Sequence, residues 1–208
     1  MRKSALLVVV FAKAPQPGRV KTRLAQSIGP QAAARLHLRL VERTLATALA
    51  AGCGTVELHG SPSNHHFLRE FARRYGIGFR GQAAGDVGAR MSEAFRRGLR
   101  SHRRMLLVGS DCPALTPADF RCAARLLRGC DAVIAPAEDG GYQLIGLKRS
   151  PRSLFKGVEW STATVMQQTR ERLAALGWRW RELRTVWDVD RPEDLARLRA
   201  TCLLERRP

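Results

Sequence analysis

"SALLVVVFAKAPQPGRVKTRL", residues 4–24, joins an apolar run to a loop of opposite character. After Ser4 the run to Phe11 contains no polar residue, the pattern of a strand buried on both faces. Then come Pro15, Pro17 and Gly18 and four cations, Lys13, Arg19, Lys21 and Arg23, with no acid among them. The prolines stiffen the loop, Gly18 permits close backbone approach, and the cations can meet a pyrophosphate. A solvated basic turn is the plainer reading of the same residues. The stretch "GRVKT" (18–22) resembles the end of a Walker A loop, but the upstream glycine and the G-K-T order are absent, which argues against a P-loop nucleotidase.

Outward from this stretch the chain alternates strands with helices. Apolar runs at 104–111 and 131–137 read as further buried strands, and 54–60, 141–147 and 178–190 as more alternating ones. Helical patterns cover 31–51, 64–76, 87–101, 116–129, 161–177 and 192–205. Thr116, Pro117 and Asp119 predict a capping box at the start of the fourth of these. The alternation implies an α/β fold, Rossmann-like, with a mostly parallel sheet covered by helices on both faces. Ligands of such sheets bind outside the carboxyl ends of the strands.

The 208 residues favour one domain, and a chain of this length buries a full core without disulfides. Five cysteines, none in a C-x-x-C pair, read as reduced thiols of a cytoplasmic protein. The longest apolar stretch, 5–12, is too short to span a bilayer. The net charge of +18 predicts attraction to polyanions. No nucleic-acid motif accompanies it, so specific nucleic-acid binding is not expected. The histidines do not form a catalytic set.

Four more segments carry candidate chemistry, the first three at strand ends. In "VGSDCPALTP" (108–117) a buried strand delivers Asp111, well placed to hold Mg²⁺ or Mn²⁺ beside a diphosphate, or else to cap a turn. Cys112 reads as a packing residue. In "PAEDGGYQLIGL" (136–147), Glu138 and Asp139 precede Gly140 and Gly141, and Tyr142 can stack on a sugar or base. An ordinary Asp-Gly turn fits too. "WDVDRPEDL" (187–195) adds Asp188 and Asp190. Either can meet Asp111 across a metal, while the spacing of Asp190 and Glu193 is also a capping pattern. "GVEWSTATV" (157–165) offers Glu159, Trp160, Ser161 and Thr162 as acceptor-site groups or a helix cap.

In this order, "FAKAPQPGRVKTRL", "GSDCPALTP", "EDGGYQLIGL" and "WDVDRPEDL" resemble the nucleotide-diphospho-sugar transferases of the GT-A superfamily. The nearest group is a small bacterial family, once a domain of unknown function and now called glycosyltransferase A-like, one branch of which is assigned to arsenosugar biosynthesis. The resemblance implies a single GT-A-like domain over residues 1–208. It implies a metal-dependent glycosyltransferase with a nucleotide-sugar donor, or a nucleotidyltransferase that uses an NTP and releases pyrophosphate. A non-catalytic nucleotide- or RNA-binding module is the third reading. Carried over, Lys13, Lys21 and Arg23 would bind phosphates, and Asp111 with Asp190 would hold Mg²⁺ or Mn²⁺. The segments themselves add Gly18 and Tyr142 at the donor, Asp139 beside Asp111 as catalytic, and Asp188 as the alternative metal acid. The middle motif has one acid where many glycosyltransferases have D-x-D. A small-molecule acceptor is implied, and its identity and the oligomeric state stay open.

Overall fold

The computed structural model describes residues 4–204. Its centre is strand β1, Leu7–Lys13. Alternate residues of β1 enter different cores, because successive side chains of a strand point to opposite faces. Val8 and Val10 pack with Val41, Leu45, Phe71 and Phe120 on one face. Leu7 and Val9 pack with Met91, Phe95, Met166 and Leu173 on the other. Each of these four β1 side chains is at most 2% exposed, so the unbroken apolar run is explained by burial on both sides.

Around β1 lie β2 (Thr55–Ser61), β3 (Gly78–Gly81), β4 (Met105–Gly109), β5 (Ala132–Pro136), β6 (Tyr142–Leu147) and β7 (Trp180–Glu182), in the order β3-β2-β1-β4-β6-β5-β7. All neighbours are parallel except β6, which runs antiparallel between β4 and β5. The helices are α1 (Thr22–Ile28), α2 (Pro30–Ala51), α3 (His66–Arg74), α4 (Val87–Ser101), α5 (Pro117–Leu126), α6 (Val165–Ala175) and α7 (Pro192–Thr201). The mostly parallel α/β sheet is the one expected, and α5 begins with the predicted Thr116–Asp119 capping box. Among the described residues no helix is long and apolar enough to cross a membrane.

The structure departs from the expected elements in places that matter to the cleft. The strand predicted over 178–190 is paired as β7 only at Trp180–Glu182. Beyond it the chain crosses the ends of other strands: Val186 N–H donates to Pro136 O, and Val189 N–H donates to Asp111 O at 3.0 Å. The short α1 and β3 were not expected from the sequence. The last residue of the helix predicted over 192–205 lies outside the described residues. A third cluster, Leu24, Leu40, Trp187, Val189 and Leu198, joins α1, α2, α7 and the crossing segment. It clamps Leu24, next to Arg23, against Val189, between Asp188 and Asp190.

Gly140 is required for a structural reason. Its φ is 86°, and a Cβ there would lie 2.1 Å from the Ala163 carbonyl oxygen. Its O accepts from Met166 N at 2.8 Å, so the Asp-Gly turn and the start of α6 are packed as one piece. Gly140→Ala combines left-handed strain with overpacking and should cost roughly 2–4 kcal/mol. Urea denaturation of the variant checks this; a midpoint equal to that of the parent protein contradicts it.

Candidate active site at the carboxyl end of the sheet

The pairing of β1 with β4 sets Phe11 opposite Gly109. The loops that leave these two strands therefore open side by side. One carries the cations of the opening loop and the other carries Asp111. They line a cleft of about 830 Å³, which Asp139, Asp188 and Asp190 also border. Every residue predicted to act on the donor or metal, namely Lys13, Lys21, Arg23, Asp111, Asp139, Tyr142, Asp188 and Asp190, lines this cleft, with the sole exception of Gly18. Gly18 stays in the loop with φ 75° and nothing within 4 Å of where a Cβ would stand, so backbone angle and not crowding calls for glycine.

Lys21 precedes α1 in a left-handed conformation, φ 48° and ψ 44°. That backbone costs a non-glycine residue about 1–2 kcal/mol. It turns the side chain inward, where only 3% remains exposed and Nζ lies 2.8 Å from Asp111 Oδ1. His37, buried on α2, bonds through Nε2 to Lys13 O at 3.0 Å. A carbonyl only accepts, so Nε2 is the donor. The other ring nitrogen, Nδ1, lies 3.7 Å from Asp111 Oδ1. His37 thus touches both the opening loop and the acid. Burial pushes the Asp111 carboxyl up, but the Lys21 charge and the adjacent His37 outweigh it and hold the group well below the usual carboxylate range. Oδ1 is enclosed, while the Asp111 side chain as a whole keeps 42% exposure toward solvent.

The other acids have separate fates. Asp139 is exposed, and its Oδ1 accepts from Gly141 N at 2.9 Å, so the plain turn reading is also realised. Asp190 receives Arg23 Nη1 at 2.6 Å. It does not cap α7: Asp194 does, accepting from the backbone N–H of Asp190 at 2.9 Å and of Arg191 at 2.7 Å. The expected Asp190–Glu193 box is therefore displaced by one residue, because the N-cap is Arg191, in extended conformation, and the acid three residues on is Asp194. Asp188 is half-buried. Burial, with the nearby carboxylates of Asp139 and Asp111, pushes its pKa up to about 6 against the pull of Lys21.

Tyr142 forms part of the cleft wall. Its ring meets Trp160 edge-on with centroids 6.5 Å apart, and burial pushes its phenol up. Cys112 is buried and burial drives its thiol up to about 12, in keeping with a packing role. Ser161, with φ 67°, and Thr162 reach the cleft from the segment before α6. Arg19, the fourth cation of the opening loop, also lines the cleft, and His37 and Arg90 are cleft residues that no motif marked. His37 had a signal: it falls on the stripe Ala33, Ala34, His37, Leu40, Val41, where a polar residue among buried neighbours invites a reason.

No three His, Cys, Asp or Glu side chains among the described residues stand converged as a formed metal site. The donor chemistry of Asp111 and Asp188 nevertheless fits a hard divalent cation. Both offer oxygen, and the upward push on Asp188 marks negative charge crowded enough for a cation to relieve. Asp190 fits less well, since Arg23 already takes its Oδ2.

Asp188 also makes a stability statement. A carboxyl whose folded pKa is raised penalises the folded state as it ionises, so the penalty grows from about pH 4 to pH 6 and is complete above. Asp188→Asn should therefore stabilise the chain by roughly 1–3 kcal/mol at pH 8 and by almost nothing at pH 4. Denaturant midpoints at the two pH values check this; equal midpoints at pH 8 refute it.

Comparison with known proteins bears on the fold and the family. A family model described as "Uncharacterized protein conserved in bacteria (DUF2064)" matches residues 44–162. A crystal structure from Desulfovibrio desulfuricans G20, provisionally described as a nucleotide-diphospho-sugar transferase, superposes with a TM-score of 0.88 at 30% identity, covering 96% of this chain and 88% of that one. A nucleotidyl transferase from Methanothermobacter thermautotroptrophicus shares the fold at TM-score 0.67 and 18% identity, over 97% of this chain and 99% of that one. A Mycobacterium tuberculosis H37Rv protein in complex with manganese shares it at TM-score 0.56 and 19% identity, over 99% of this chain and all of that one (100%). No curated protein sequence matches the chain. The family match spans more than half of the residues and the 30%-identical structure nearly all of them, so the chain belongs to the bacterial DUF2064 family and has the fold of the nucleotide-diphospho-sugar transferases.

Proposed function

We propose that this chain is a transferase, a single catalytic domain that takes a nucleotide-diphospho-sugar donor and passes its glycosyl group to a small-molecule acceptor with the help of Mg²⁺ or Mn²⁺. One observation carries the reading: the basic opening loop faces Asp111, Asp139 and Asp188 across one cleft at the carboxyl end of the sheet. A diphosphate beside a divalent cation needs that juxtaposition. The 30%-identical relative described as a nucleotide-diphospho-sugar transferase supports it, as does the manganese bound to a protein of the same fold.

In this reading Lys13 and Arg19, exposed and without an ion pair among the described residues, take the phosphates first. Charge-assisted bonds to phosphate contribute about 1.5–3 kcal/mol each. Asp111 and Asp188 would hold the cation, which when bound supplies Lewis-acid stabilisation of the departing diphosphate. Asp139, exposed at the rim, faces the side where Ser161 and Thr162 line the cleft and would orient an acceptor hydroxyl. Tyr142, its ring backed edge-on by Trp160, walls the cleft.

Nucleotidyl transfer is the second reading. The likeness to a CMP:2-keto-3-deoxy-manno-octonic acid synthetase complexed with CTP favours it, at TM-score 0.63 and 13% identity over 98% of this chain. In this reading a phosphorylated acceptor attacks the α-phosphate of an NTP and pyrophosphate leaves. Both readings use the same clamp, so the product separates them.

The test is a panel of NTPs and nucleotide-sugars with Mn²⁺ and candidate acceptors. Free nucleoside diphosphate supports glycosyl transfer, and pyrophosphate supports nucleotidyl transfer. Binding without turnover across the panel sinks both. With the productive donor, Asp111→Asn should slow turnover about 100- to 1000-fold while circular dichroism is unchanged.

A further inference from the structure

The opening loop does not leave all four of its cations free: Lys13 and Arg19 are exposed, while Lys21 is buried. Two of them are already engaged, and their partners are two of the acids that the sequence offers to a metal. Lys21 Nζ lies 2.8 Å from Asp111 Oδ1, and Arg23 Nη1 lies 2.6 Å from Asp190 Oδ2. The two acids are themselves tied together, since Val189 N–H, next to Asp190, donates to Asp111 O. The pairs differ in kind. Arg23 and Asp190 are both exposed enough for water to compete, with 63% and 38% of their side chains accessible. Lys21 is 3% exposed, and apart from the ion pair neither its Nζ nor Asp111 Oδ1 has a hydrogen-bond partner. An ammonium carries three donors, so Lys21 is held by charge with donors to spare. The chain also accepts a left-handed residue to keep it there.

A buried ammonium and a divalent cation cannot share one carboxylate oxygen without strong repulsion. We infer that Lys21 is the resident counter-cation of Asp111 Oδ1: in the ligand-free protein its ammonium holds the place on that oxygen that a divalent cation would take, and Oδ1 is released to the cation only when an anionic donor draws Lys21 away. The inference rests on the proposed function in one respect, that metal and phosphate share this cleft. It adds an order of events. The anion binds first, Lys21 changes partner from carboxylate to phosphate, and the carboxylate is released to the metal. No charge is left unpaired at any stage. The left-handed backbone at Lys21 is the local constraint that holds the side chain on Asp111 until then.

The test uses the full chain and Mn²⁺ alone, with no nucleotide, by isothermal titration calorimetry. Lys21→Met removes the charge and keeps an extended apolar stem. Lys21→Gly removes the side chain and suits φ 48°, so it serves if the methionine variant folds poorly. Both variants should bind Mn²⁺ at least about tenfold more tightly than the parent. Mn²⁺ should also raise their melting temperature more than it raises that of the parent, because it replaces a missing counter-charge. Lys21→Met combined with Asp111→Asn should lose the gain. Mn²⁺ affinity that is unchanged or weaker in both single variants overturns the inference, and so does a gain that survives the loss of Asp111. The titration contains no donor or acceptor, so its outcome is independent of turnover. A tightened Mn²⁺ site with no transfer activity would count against the proposed function alone.

Discussion

Five parallel residue pairs between β1 and β4, from Leu7–Met105 to Phe11–Gly109, determine where two loops of opposite charge meet. A register shift of one residue would turn each apolar side chain of β1 to the wrong core. The register is therefore locked by burial on both faces, and the site inherits its rigidity. Val8, Val9 and Val10 have no measurable exposure, and Leu107 and Val108 beside them are at most 4% exposed. The cleft geometry is thus a consequence of core packing one or two residues away. The third cluster does the same for the crossing segment: Trp187 and Val189 are buried, and the acids between and beside them are left facing the cleft.

The electrostatic arrangement runs against the composition. A chain of net charge +18 gathers acids at one place. Gathering them is costly, as the Asp188 carboxyl, pushed up to about 6, shows. Perturbed groups of this kind concentrate at functional sites because function needs charge where folding does not. Lys21 and Arg23 offset part of the cost by pairing with Asp111 and Asp190. Asp188 and Asp139 have no such ion pair among the described residues. The residual field of the cleft is therefore negative near Asp188 and positive near Lys13 and Arg19, a polarity suited to a ligand that brings its own cation on one side and phosphates on the other.

Much of this was legible in the sequence, for physical reasons that differ by segment. The buried strands declared themselves through unbroken apolar runs, and α5 through its cap and first-turn proline. Asp111 and Asp139 were legible because each follows such a run, and Asp188 and Asp190 because they stand in "WDVDRPEDL" at the end of an alternating segment. The pairing of cation with acid was not, because Lys21 and Asp111 are distant along the chain and only the register of β1 and β4 joins them. The left-handed turn that aims Lys21 inward has no signature in "GRVKT", where glycine stands three residues too early. The strand expected over 178–190 is only partly realised: after Glu182 its pairing thins to single hydrogen bonds and one parallel bridge, Ala137–Val186, before the chain passes to the end of β4. His37 went unread because a lone histidine in a helix has no spacing to interpret until its neighbours are known.

The large net charge has a role distinct from the short-range contacts. Many of the exposed arginines are spent locally: Arg73 bonds Glu70, Arg96 and Arg97 bond Glu93, and Arg170 bonds Glu182. Such exposed pairs contribute at most about 1 kcal/mol each, so they do little for stability. The remaining excess of cations acts through the field, which reaches about 8 Å at physiological salt and attracts any polyanion without regard to its structure. Discrimination has to come from the cleft, where Lys21 and Arg23 are not free to add attraction. In the exchange proposed above, Lys21 would give up a carboxylate to take a phosphate, which favours only an anion whose binding is accompanied by a cation for the acid left behind. A bare polyanion supplies none. The same +18 chain can therefore attract anions broadly at its surface and still admit few of them to the site.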